Sequence, residues 1–230
     1  MKLVGITGKK QSGKDTFANF MIKLLPEQKV VKLSLAHPLK YFVTALLEID
    51  SKHVWGSDND KNYPIAAWGK IFKDELLLKY KKDQYDLLTG REALQVIGTD
   101  VMRKGGCYLR REYWERTKKF LAKNNVKINN EIWIQLLLRD FKKSDADVVI
   151  VPDVRFFNEL DMIKDQGGIL VRIYRDTGKS DSIMHPSELE MESMKDEPFD
   201  FIVDDDGNRT MKELKQRVMN FIYQFEFSGV

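Results

Sequence analysis

A chain of 230 residues, 43% of them hydrophobic, is long enough to bury one substantial core and lies near the upper size of a single domain. Its 38 basic and 35 acidic residues leave a formal charge of +3, too near balance for a bulk polyanion such as duplex DNA to be the partner. One cysteine, Cys107, excludes an internal disulfide, and the longest uncharged apolar-rich run, "IWIQLLL" at 132–138, is much shorter than the ~20 residues of a membrane span.

Residues 1–7 are too short an apolar run before Lys9 to serve as a signal peptide. The expectation is a soluble protein of a reducing compartment, the cytoplasm, with neither a membrane nor a nucleic acid as partner.

In chain order, "KLVGIT" (2–7) is a short run of β-formers, and the apolar positions of "DTFANFMIKLL" (15–25) recur at helical spacing until Pro26. A second strand, "VVKLSL" (30–35), precedes "PLKYFVTALLEI" (38–49), a helix with Pro38 in its first turn. Strand and helix alternating in this way predict a parallel α/β sheet. The strand signal then lapses. The polar stretch 50–90 is expected to hold a helix at 66–82, and Thr89 and Glu92 form a capping box for another at 90–103. Residues 104–112 read as a basic, mobile connection, followed by helices at 112–123 and 130–142.

Strands return in "DVVIVPD" (147–153), in "ILVRIYR" (169–175) after a helix at 157–166, and in "DFIVD" (200–204). Unbroken runs such as "VVIV" suit strands covered on both faces. Residues 175–198 form a long polar excursion that reads as a flap, and Thr210 with Glu213 caps a last helix running to about 226. With no repeat or linker to divide the chain, the expectation is one domain. Its core is 1–48 and 143–230, and a helical insertion occupies 49–142.

Gly8, Gly13 and Lys14 satisfy G-x-x-x-x-G-K between a predicted strand and a predicted helix. Glycines at those places let backbone N–H groups turn inward around phosphates, Lys14 reaches the terminal phosphoryl oxygens, and the helix points its positive end at the same anion. Asp15 departs from the generic motif, whose hydroxyl residue there ligates Mg²⁺. A carboxylate about 4 Å from a phosphate charge is repelled by roughly 4 kcal/mol at an effective dielectric of 20, and a divalent cation between them reverses the sign. Asp15 is therefore expected to face the Mg²⁺ of Mg-ATP, with the Thr16 hydroxyl on phosphate. The alternative is that Asp15 only caps the helix.

Several stretches, "GKKQSGKDT", "LAHPLK" (35–40), "GREALQVIGTDVMR" (90–103), "VIVPDVRFFNELDMIKDQGG" (149–168), "RIYR" (172–175), "HPSELE" (185–190) and "VDDDGNRTMKEL" (203–214), occur in the order seen in one family. Together they resemble the deoxynucleoside monophosphate kinases of large bacteriophages, within the P-loop nucleotide kinases. The "SGKD" loop is also similar to that of animal phosphomevalonate kinases. The resemblance is thin at 50–85 and 104–128. It implies a P-loop kinase fold and γ-phosphoryl transfer from ATP, with Mg²⁺, to a deoxynucleoside 5′-monophosphate. It also makes Asp15 regular, since the family loop reads S-G-K-D-T, Ser12 included, and it implies that Asp206, Gly207 and Asn208 line the adenine.

An acceptor phosphate is already a nucleophilic anion near pH 7, so positioning and charge neutralisation carry such a reaction and no general base is needed. The three histidines, His37, His53 and His185, accordingly read as loop or helix-entry residues. Arg155 follows a buried strand at the carboxyl edge where α/β sheets bind ligands, Glu159 lies where it could orient the guanidinium, and Asp153 could hold the Mg²⁺ shell. The alternative for Asp153 and Arg155 is a helix cap and a surface ion pair. Lys10 is placed to bridge donor and acceptor phosphates; Arg175, an expected ATP-binding residue, flanks the flap, which contains Lys179 and is expected to close over ATP and exclude water.

For the acceptor the expected set is Lys40 with Arg91, Gln95, Thr99 and Asp100. Arg91, Gln95 and Thr99 recur every four residues on one helical face, and a guanidinium and an amide suit a phosphate and a base edge. A solvated helix face is the alternative. Trp133 is expected to stack on the base, with a core position as the alternative. A homodimer pairing through helices of 66–128 is a further expectation. Rival readings are a kinase of another small phosphorylated metabolite, of phosphomevalonate type, and a regulatory GTPase suggested by D-x-x-G at 204–207. The sequence contains no N-K-x-D for guanine selection.

Overall fold

Residues 1–9, 11–105, 107–175, 198–204 and 210–227, with Ser193 and Asp196, are described by a computed structural model of the chain. They divide into two compact units, Met1–Leu35 with Arg139–Val230, and Ala36–Leu138. The expected insertion began at 49. The division instead falls before the helix that follows Leu35.

The first unit opens with β1 (Lys2–Thr7), α1 (Lys14–Leu24) and β2 (Val30–Lys32). The second runs through α2 (Ala36–Leu47), α3 (Lys52–Trp55), α4 (Asp58–Lys61), β3 (Pro64–Ala67), α5 (Trp68–Ile71), α6 (Asp74–Tyr80), β4 (Leu87–Thr89), α7 (Gly90–Val96), a π-helical turn (Ile97–Val101) and α8 (Arg111–Asn124). After α9 (Ile132–Lys143) the first unit resumes with β5 (Val148–Val151), α10 (Phe157–Asp165), β6 (Ile169–Ile173), β7 (Phe201–Val203) and α11 (Met211–Gln224).

The first unit is the expected α/β fold, a five-stranded parallel sheet in the order β2-β5-β1-β6-β7 with helices against it. The "VVIV" strand β5 is buried at all four positions, as a strand covered on both faces must be. β1 is central: Val4 pairs with Ile150 on one side and Ile169 on the other. Because β2 lies beyond β5 on one side and β6 lies on the other, strand order reverses at the carboxyl end of β1, which is where open α/β sheets bind ligands.

One face of the sheet packs on α1 and α11 through fully buried Phe17 and Phe221, whose rings meet edge to face at 5.5 Å. Phe221 also meets Phe201, Phe225 and Phe227, so one aromatic knot fastens α11 to β7 and the chain end. At Gly5 a Cβ would come within 3.0 Å of Ile163 on α10. The missing side chain lets that helix lie close on β1.

In the second unit the structure corrects one element. The run 66–82 is not a single helix: it holds the end of β3, then α5 and α6, with β3 paired antiparallel to β4. Between the two helices Phe72 is extended (φ −108°, ψ 154°) and bridges Leu109, while Lys73 N–H donates to Tyr108 O and Arg110 N–H to Ile71 O. Gly69, a poor helix former, lies against Gln84, where a Cβ would be 2.6 Å from its side chain. Non-local pairing thus outweighs the helical period. The same bridge anchors the connection expected to be mobile, since Leu109 is fully buried. Among the described residues no helix is long and apolar enough to cross a membrane.

Candidate active site

The loop after β1 carries two glycines in conformations that other residues avoid. Gly8 has φ +152°, and a Cβ there would be 2.4 Å from the carbonyl oxygen of Ile173 and 2.7 Å from Ser12 Oγ. Gly13 is left-handed (φ 100°, ψ 12°) and delivers the chain into α1. Gly13, the residue before α1, supplies no side-chain cap, and the amides of a helix's first turn are donors suited to an anion. Lys14 Nζ folds back over the loop and donates to Gly8 O and Lys9 O, each at 2.5 Å. Ser12 is buried, Thr16 is half-buried, and the buried Thr7 Oγ1 has no hydrogen-bond partner among the described residues. Lys10 lies outside the described residues.

Asp15 stands on the first turn of α1 with its side chain 77% exposed and 3.1 Å from Lys32 Nζ at the end of β2. An ion pair this exposed contributes at most about 1 kcal/mol, so the carboxylate is available at little cost. Its place in the first turn also complements the helix dipole.

Asp153, just past β5, accepts from Ser34 Oγ at 2.5 Å and from Leu35 N–H at 3.2 Å. It ties the end of β2 to the end of β5 beside the loop. Arg155 is exposed, and its guanidinium has no partner among the described residues. The expected pairing with Glu159 is corrected: this carboxylate, 2% exposed, accepts from the backbone N–H groups of Arg155 (2.7 Å) and Phe156 (3.2 Å). It caps α10 and fixes the main chain at Arg155, itself an exposed residue.

A second basic residue at this edge escaped the sequence reading. Arg172, 7% exposed on β6, pairs in register with Thr7, lies 3.4 Å from Asp196, and stacks over Tyr174 (4.5 Å) and Phe199 (5.2 Å). Tyr174 donates to Asp196, and burial together with that bond pushes its phenol up to about 12. Arg175 is exposed. The flap expected at 175–198, with Lys179, lies almost entirely outside the described residues, as do Asp206, Gly207 and Asn208.

In the second unit the acceptor candidates separate. Lys40 on α2 lies over the Trp55 ring with Nζ 4.8 Å from its centroid. Arg91 is exposed enough to bind a ligand, but it is held by Asp58 (2.7 Å) and by Asn62 Oδ1 (2.9 Å). Gln95 is exposed and Thr99 half-buried. Thr99 falls in the π turn, whose wider winding takes it off the line that a continuous α-helix would draw through Arg91 and Gln95.

Asp100 and Trp133 are corrections. Asp100 is 1% exposed and accepts from Lys79 Nζ (2.5 Å) and the Tyr80 hydroxyl, with Lys104 3.4 Å away. Burial alone would raise its pKa, but these bonds and charges hold the carboxyl below its ordinary 3.8. Trp133 is 2% exposed and donates from Nε1 to Gly98 O at 3.1 Å. Both belong to the core of the unit, and neither offers a surface to a base.

The sequence reading also missed Lys32, Ser34 and Trp55. Ser34 sits in a predicted strand that ends early, and Trp55 in a stretch of weak resemblance. Neither carries a periodic signal of its own.

No family model matches the chain. A protein of Acanthamoeba polyphaga mimivirus named as a deoxynucleotide monophosphate kinase is 29% identical over 222 residues, 96% of each chain. The deoxynucleoside-5′-monophosphate kinase of Escherichia phage T5 is 26% identical over an alignment of 233 residues, covering 81% of this chain and 83% of the relative. Over most of its length the chain is thus similar to two proteins named as deoxynucleotide or deoxynucleoside monophosphate kinases, one of mimivirus and one of phage T5, and its five-stranded parallel sheet is an α/β fold consistent with such a kinase.

Proposed function

We propose that this chain is a phosphotransferase that passes the γ-phosphoryl group of ATP to a deoxynucleoside 5′-monophosphate, giving ADP and the deoxynucleoside diphosphate. The observation that carries the donor half is the loop. The backbone at Gly8 leaves no room for a Cβ, and α1, which Gly13 leads into without a side-chain cap, brings a helix N-terminus of the kind that suits an anion. The acceptor half rests on the names of the two relatives.

In this reading the first unit binds the donor. Lys14 leaves the loop carbonyls for the β- and γ-phosphates, Ser12 and Gly13 bring their amides, and Lys10 and Arg155 neutralise the phosphoryl group as it moves. Arg175, Asp206, Gly207 and Asn208 complete the ATP site. The second unit binds the acceptor through Lys40, Arg91, Gln95 and Thr99. An oxygen of the acceptor phosphate forms the new bond to the γ-phosphorus while the bond to the β,γ-bridging oxygen breaks, and the leaving ADP takes the electron pair. No proton has to be removed from the nucleophile, so the residues supply alignment and charge.

The residues at the loop fit Mg²⁺, which takes oxygen ligands, keeps several waters and needs only one or two carboxylates beside the phosphates. Asp15 is exposed, Thr16 follows it on α1, and Asp153 lies at the neighbouring strand end. When bound, the ion neutralises phosphate charge. The enzyme acts in the cytoplasm on a small molecule, without nucleic acid or membrane, and pairs through helices of its second unit.

The test is a coupled assay for ADP with ATP, Mg²⁺ and each deoxynucleoside monophosphate in turn, 5-hydroxymethyl-dCMP and ribonucleotides included. The reading predicts ADP release that depends on a deoxynucleotide acceptor. Release independent of acceptor contradicts it, as does none with any nucleotide.

A further inference from the structure

A nucleotide acceptor, if that proposal holds, needs a surface for its base, and Trp133 is buried and already bonded. The second unit offers another ring. α2 carries His37, Lys40 and Tyr41 at i, i+3 and i+4, hence on one face. All three converge on Trp55 at the end of α3. Its ring centroid is 5.0 Å from that of His37 and 5.0 Å from that of Tyr41, and Lys40 Nζ is 4.8 Å away. Trp55 is half-buried and Tyr41 68% exposed, so this is an open aromatic patch and not a core cluster.

The patch is rigidly mounted. Val54, next to the indole, is fully buried, and a Cβ on Gly56 would lie 2.5 Å from Lys52 O, so the turn after Trp55 is tight. At Gly90 a Cβ would be 1.9 Å from His53 O, so α7 starts directly against α3. Arg91 is the next residue, and its partners Asp58 and Asn62 follow Trp55 within a few residues. A half-exposed indole, an ammonium and a guanidinium therefore share one small region of the unit. A deoxynucleoside monophosphate is a flat π-system carrying a dianion, and stacking on an aromatic ring suits any base because every base has a π face.

We propose that Trp55 is the platform on which the acceptor base stacks, and that Lys40, parked over that ring by cation–π attraction, passes to the acceptor phosphate when the base arrives. Trp55 is then a binding residue for the acceptor and has no part in binding ATP.

Two measurements on the full chain test this. In steady-state assays Trp55→Leu is expected to raise the KM for the deoxynucleotide about 5- to 100-fold. The KM for ATP stays unchanged, and Trp55→Phe recovers most of the loss. A KM for the acceptor within twofold of the parent in Trp55→Leu overturns the inference. Should that variant fold poorly, the parent decides. Labelled with 5-fluorotryptophan, its four tryptophans give four ¹⁹F resonances, with Trp55 assigned through Trp55→Phe. Saturating deoxynucleotide is expected to move the Trp55 resonance, and a resonance that stays in place overturns the proposal. A parent that turns over deoxynucleotides with a silent Trp55 sinks this inference alone. One that shows the shift but transfers no phosphoryl group sinks the proposed function alone.

Discussion

Gly8→Ala tests the cradle most sharply, because the methyl group has nowhere to go. Built on the observed backbone, the new Cβ would lie 2.4 Å from Ile173 O and 2.7 Å from Ser12 Oγ, and the first of these is a strand carbonyl that no rotamer change can move. Overpacking of this kind costs about 1–3 kcal/mol. Holding an L-residue at φ +152° adds on the order of 1–3 kcal/mol. If the loop keeps its shape, folding stability falls by roughly 2–6 kcal/mol, which for a chain of this size lowers Tm by about 4–24 °C. If the loop opens instead, less stability is lost but the amides no longer face the phosphates. Gly13→Ala is the companion variant, in which holding an L-residue at φ 100° should cost about 1–2 kcal/mol. Thermal melts with and without ATP, beside an ATP titration, read both outcomes. A Gly8→Ala protein that melts within about 1 °C of the parent and binds ATP equally well would refute the geometry.

Arg155→Gln is expected to lower kcat by about 10²-fold or more while leaving the melt unchanged, because the exposed guanidinium has no partner among the described residues. Circular dichroism and a kcat/KM comparison check both halves. Asp15→Ala should weaken the apparent affinity for Mg²⁺ and leave folding unaltered, its Lys32 pair being exposed, and a Mg²⁺ titration of the activity decides.

Asp100→Asn should destabilise the chain by about 1–3 kcal/mol through loss of charge-assisted bonds. Its folded pKa lies below 3.8, so the stabilisation is complete above that value and fades as pH falls through the folded pKa. The variant's deficit should accordingly shrink in acid, as urea melts at pH 7 and below pH 4 will show. Trp133→Ala should cost about 3–5 kcal/mol, as large buried aromatics do, without altering which bases are accepted. A selective loss for one base at unchanged stability would restore the ring to the acceptor site.

The loop and the sheet around it were legible because their signals are local. Gly8, Gly13 and Lys14 lie within seven residues between a β-run and a helical run, and the buried strands of a covered sheet are continuous apolar stretches such as "VVIV". The second unit was harder for the opposite reason. β3 pairs with β4 some twenty residues away, and Phe72 with Leu109 still further off, so a helical period at 66–82 misleads until its partners are seen. Asp100 looked like a ligand because the spacing of a helix shows its face but not what covers it, and Lys79 and Tyr80 come from another element. Trp133 and Trp55 are indistinguishable by residue type. Burial alone makes one a core residue and leaves the other open.

Phosphorus NMR of a single reaction holds the central claim to account most directly. With ATP, Mg²⁺ and a deoxynucleoside monophosphate, the signals of a deoxynucleoside diphosphate should grow in step with those of ADP, and Lys14→Met should abolish both. Growth of inorganic phosphate in place of the deoxynucleoside diphosphate, or transfer undiminished in the Lys14 variant, would contradict the account.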